Sequence, residues 1–82
     1  MNKTPEPRVG EMSIMDYTGH SRVTWDTGEP GEIATAREVF DSLIAKGYSA
    51  FGSKEKAAPK HKLGTFDPTM EELIMVPRTV GG

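Results

Sequence analysis

Two glycines, Gly81 and Gly82, close the sequence in the run "VPRTVGG", directly after its last apolar stretch. One reading is chemistry at a terminal carboxylate; the other is that a frayed end tolerates glycine. Two residues without Cβ leave the backbone free to extend with little bulk. Arg78 precedes them with a guanidinium that pairs readily with carboxylates on a partner, and Val80 is a second candidate recognition contact.

The other candidate groups are weaker. Asp26, Thr27 and Gly28 stand together in "WDTGE". Two such aspartates facing each other across a dimer would share one proton, because both cannot ionise at close range. Here, however, the triplet opens an acidic, proline-bearing turn, and an Asx-type turn accounts for Asp26 more simply. His20 and His61 have no acids at ligand spacing, so a zinc site lacks ligands; each is expected to be a solvated loop histidine rather than a general base. No Ser or Thr occupies a nucleophile elbow.

Lys54, Lys56, Lys60 and Lys62, with His61 among them and Glu55 opposing them, form a basic segment. Such a segment can touch phosphates, with Phe51 or Phe66 stacking on a base. The net charge of −2 works against a polyanion, and a solvated loop tip is the favoured expectation. A protein partner is therefore expected ahead of nucleic acid, with no membrane, cofactor or metal involved and no catalytic side chain.

The 82 residues allow one domain, which at this size buries only about 60% of the surface its unfolded chain exposes. Apolar residues at 35% suffice for a single core layer. The absence of cysteine excludes a disulfide scaffold and thiolate metal sites and suits a reducing compartment. Neither a signal peptide nor a run of about 18 apolar residues is visible, so the expectation is a soluble cytoplasmic protein, or a component of a virion.

The elements that must position these groups follow from periodicity. Residues 1–10, with Pro5, Pro7 and Gly10, read as a flexible arm. "EMSIMDY" and "SRVTWD" alternate apolar and polar residues on either side of "TGH", where Gly19 suits a positive φ; this predicts a hairpin anchored by Trp25. Of the methionines Met12, Met15, Met70 and Met75, Met15 breaks the alternation and is the one expected at the surface.

"IATAREVFDSLIAK" carries Ile33, Ala36, Phe40, Leu43 and Ile44 on one helical stripe. Glu29 and Glu32 sit at its start, Lys46 closes it, and Gly47 is a helix-ending residue. "YSAF" predicts a third strand, "GSKEKAAPKHK" a loop and "LGTF" a short fourth strand. Asp67-Pro68 suits a turn, and "LIMV" predicts a strand buried on both faces. The domain spans residues 11–76, with an extended tail over 77–82. One helix on a four- to five-stranded mixed sheet makes an α+β domain. A wholly apolar last strand wants a central place, parallel to the first.

That element order, running into "RTVGG", resembles the ubiquitin-like β-grasp family and its bacterial sulfur-carrier relatives. The resemblance covers the pattern from Glu11 to Gly82, and only Gly81 and Gly82 match a family motif residue by residue. It implies that an activating enzyme adenylates Gly82, which then becomes a thiocarboxylate or is joined to an amine. Pro77 departs from the usual tail. The triplet Asp26-Thr27-Gly28 is also that of aspartic proteases, but a helix follows it where the protease barrel has strands. The run "DYTGHSRVTWD", with "FDP" and the closing glycines, is similar to short proteins of bacterial viruses and prophages, which implies a structural or accessory protein binding others through its tail and arm.

Overall fold

A computed structural model describes residues 9–16 and 19–78. The element order is β1 (Val9–Asp16), β2 (Gly19–Asp26), α1 (Pro30–Ala45), β3 (Ser49–Ser53), β4 (His61–Leu63) and β5 (Glu72–Val76). One helix lies on a five-stranded mixed sheet of order β2-β1-β5-β3-β4. The apolar last strand does take a central place. It runs parallel to β1, pairing Glu11 with Glu72 and Ile14 with Met75, and antiparallel to β3 on its other side.

The hairpin forms in one unbroken register from Val9 opposite Asp26 to Asp16 opposite Gly19. It therefore takes in Val9 and Gly10, which the sequence pattern assigns to the arm. The reason is Trp25. Its ring lies across Gly10, where a Cβ would sit 2.2 Å from Cζ2, so only a residue without a side chain admits the indole to the core. Trp25 is wholly buried, its Nε1–H donates to the Pro68 carbonyl at 3.1 Å, and its ring meets Phe66 edge-on at 5.1 Å.

The helix begins three residues earlier than its apolar stripe. Pro30 takes the first helical position, where the missing N–H costs nothing, and Glu29 is the N-cap residue without a capping side-chain bond. Glu32 in the first turn reaches back to accept the Asp26 N–H at 2.9 Å. Ala36, Phe40 and Leu43 are buried, one per turn of the same face. Gly47, at φ +99°, reverses the chain, donating to Ile44 O while Tyr48 N–H donates to Leu43 O. This pair of bonds satisfies the orphan carbonyls of the last turn.

Two expectations about the second half are corrected. The fourth strand is His61–Leu63 rather than "LGTF", because Leu63 must stand opposite Ala50 and His61 opposite Gly52. Phe66 leaves the sheet and folds into the core between Trp25 and Phe40, with the Arg37 guanidinium 5.9 Å above its ring. The last strand is covered on one face only. Leu73 and Met75 are fully buried beneath the helix layer, while Ile74 is half-buried and Val76 is 38% exposed on the other face.

Candidate functional site

The single helix leaves one face of the sheet open, and side chains alternate onto it from each strand. Across the middle run Ser13, Ile74, Phe51 and Lys62, each opposite the next. Towards the Pro77 end lie Val76 and Met15, the latter 39% exposed and the most exposed methionine among the described residues, as its broken alternation predicts. Met12 and Met75 are fully buried. Ile74, Phe51, Val76 and Met15 thus form an apolar strip on the face away from the helix, half-buried at Ile74 and Phe51 and exposed at Val76 and Met15.

The other end of this face is charged. Glu11 and Glu72 are direct neighbours on the parallel strands, and three cations clamp them. Arg22 Nε lies 3.0 Å from Glu11 Oε2, Lys56 Nζ 3.4 Å from Glu11 Oε1, and Lys60 Nζ 2.8 Å from Glu72 Oε1. The two carboxylates would repel at this spacing without those partners. The lysine segment is solvated as expected except at Lys60, whose side chain is only 20% exposed and also donates to the Lys56 carbonyl. Lys56 reaches Glu11 while staying 57% exposed, and Lys54 and Lys62 are exposed too. Nothing in the sequence signals this clamp, since Glu11 meets groups from three distant segments.

Beside the same loop is a cavity of about 360 Å³, walled by Ala58, Pro59 and Met70 with Lys54 and His61 also lining it. Ser53, buried at its base, donates its hydroxyl to Glu55 O at 2.6 Å. In the neighbouring turn Asp67 is held below the usual carboxylate range, mainly by the Thr69 hydroxyl that donates to it at 2.6 Å. Partial burial opposes this, while the Thr69 N–H and the nearby Lys54 charge add to it.

The remaining candidates lie apart from one another. Asp26 Oδ1 accepts the Gly28 N–H at 2.8 Å, an Asx turn in the connection between β2 and α1. His20 on β2 and His61 on β4 occupy opposite edges of the sheet, and no cluster of three or more metal-ligating side chains exists among the described residues. No helix among them is long and apolar enough to cross a membrane.

Arg78 is exposed just past Pro77, and its aliphatic stem passes the end of the helix, where a Cβ on Gly47 would lie 3.7 Å from Arg78 Cδ. Val80, Gly81 and Gly82, like residues 1–8 of the expected arm, lie outside the described residues. No protein-family model, curated protein or solved structure matches this chain.

Proposed function

We propose that this chain is a β-grasp domain working by protein contact, a ubiquitin-like modifier or sulfur carrier whose acyl group is that of Gly82. The observation that carries the proposal is the position of β5. Lying parallel to β1 in mid-sheet, it releases the chain at Pro77 beside the apolar strip. One partner can then grip Ile74, Phe51, Val76 and Met15 while receiving the segment that follows. Arg78, exposed at the exit, supplies a carboxylate-pairing contact.

The division of labour explains why no catalytic constellation is needed. On an activating enzyme the Gly82 carboxylate attacks the α-phosphate of ATP, pyrophosphate leaves, and the acyl adenylate loses AMP to an incoming sulfur or amine. The carrier contributes only a surface and a slender tail.

The test is intact-mass and crosslink mass spectrometry of N-terminally tagged protein from its native host, beside a form lacking Gly81 and Gly82. A thiocarboxylate or a Gly82-to-lysine isopeptide, absent from the shortened form, supports the reading. An unmodified terminus, with both forms retaining the same noncovalent partners, overturns it.

A further inference from the structure

The two edges of the sheet are unequally protected. β4 is three residues long and is surrounded by Lys54, Lys60 and Lys62, the short and lysine-rich form that discourages further pairing. β2 is eight residues long, in unbroken register, with no proline, lysine or bulge.

The ladder shows which backbone groups face outward from β2. Glu11 N–H donates to Glu71 O across to β5, so the odd-numbered residues of β1 bond to β5 and the even-numbered ones to β2. Their partners on β2 are Trp25, Val23 and Ser21. The N–H and C=O of His20, Arg22 and Thr24 therefore point away from the sheet. Asp26 confirms the direction, since its outward N–H goes to Glu32 Oε1 and its outward C=O accepts the Glu29 N–H. The helix start thus closes the edge at Asp26 and leaves it open from His20 to Thr24, with no described strand alongside.

We propose that a second copy of this chain pairs antiparallel along β2, with Val23 on the two-fold axis. The charge pattern selects the occupant. Arg22, which also pairs with Glu11, lies towards one end of the strand and Asp26 at the other, and a strand with that polarity complements itself when reversed. An axis through Val23 sets Arg22 opposite the partner's Thr24 in the backbone-bonded pairs, with the partner's Asp26 on its diagonal; His20 then faces the partner's Asp26 through side chains alone, because the helix start already holds that residue's backbone. It also places half-buried Val23 against the partner's Val23. An axis through Arg22 would instead oppose two guanidinium groups, and like charges directly opposite are destabilising. The interface uses the strand's edge, so its failure would leave the proposed carrier role untouched.

Sedimentation velocity on the full chain, from micromolar to about millimolar concentration, tests for the dimer. Mild oxidation of Val23→Cys tests the register. Directly opposed residues of a non-hydrogen-bonded pair have Cα atoms about 4.5 Å apart, within disulfide reach, and the chain has no other cysteine. Val23→Cys should crosslink at least about tenfold faster than Arg22→Cys, whose copies would sit about 7–8 Å apart on a diagonal. His20→Asp should weaken association by about tenfold through two acid–acid contacts while leaving the monomer's secondary structure unchanged. A chain that stays monomeric throughout overturns the proposal. Crosslinking through Arg22→Cys at an equal or greater rate, or association indifferent to His20→Asp, overturns it too.

Discussion

Among the described glycines, Gly10 is where an added Cβ would come closest to a neighbour, the Trp25 ring, and Gly10→Ala measures what that space is worth. On β-propensity alone the change should help, because an alanine in a strand interior is better than glycine by about 0.5–1 kcal/mol. The geometry opposes it. The new methyl would stand 2.2 Å from Cζ2 and 2.3 Å from Cε2 of a wholly buried ring, with no flexible end to yield. Overpacking of this kind costs about 1–3 kcal/mol. A displaced indole also loses its bond to Pro68 O, about 1 kcal/mol, and its edge contact with Phe66, about 0.5–1.5 kcal/mol. The loss wins, by about 1.5–5 kcal/mol, which for a domain of this size lowers Tm by at least about 6 °C. Trp25 is the only tryptophan, so its fluorescence during urea unfolding reports on the perturbed site directly. Gly31→Ala is the control: it lies in the helix with nothing within 4 Å of an added Cβ, and should stabilise by up to about 1 kcal/mol. If Gly10→Ala proved neutral or stabilising, the argument that Trp25 requires a bare backbone opposite it would be wrong.

Three further outcomes are expected. Gly47→Ala should destabilise by about 1–2 kcal/mol in the same urea assay, because φ +99° is strained for any residue with a Cβ even though the Arg78 stem, its only close neighbour among the described residues, leaves ordinary contact distance. Lys60→Met should cost about 1 kcal/mol by leaving Glu72 beside Glu11 without its cation, and pairing it with Glu72→Gln should recover part of that in a double-mutant cycle. Asp67 sets an acid limb: its pKa is lowered on folding from 3.8, so its contribution is present above that pH and lost as pH falls through the folded value. Thermal melts between pH 6 and pH 2.5 should therefore show a smaller drop for Asp67→Asn than for the native chain.

The residues proposed to carry function were unequally legible. Gly81, Gly82 and Arg78 are visible as text, because their suitability rests on side-chain size and charge. The apolar strip is not. Phe51, Ile74, Val76 and Met15 come from three strands, and only their registers set them side by side. The lysine segment was legible as a solvated tip apart from Lys60, because the carboxylate that draws Lys60 in, Glu72, belongs to β5.

Local chemistry was enough to determine the hairpin, the helix and the last strand, though not the fourth strand. The 3.6-residue stripe of Ala36, Phe40 and Leu43, the proline at the first helical position and the glycine that ends the helix act within a few residues of chain. The alternation that made the hairpin, with Trp25 as its anchor, is equally local. Even the central place of the last strand followed from its unbroken apolarity, since an edge cannot bury such a run. Tertiary structure decided the boundaries and the faces. Gly10 joined β1 because an indole needed its missing side chain, and Phe66 left the sheet because Trp25 and Phe40 offered it a ring-lined site. With one helix to cover five strands, one face had to stay open, and the four residues "LIMV" were divided between core and surface. Periodicity specifies which residues share a face; only the complete packing specifies which face finds a cover.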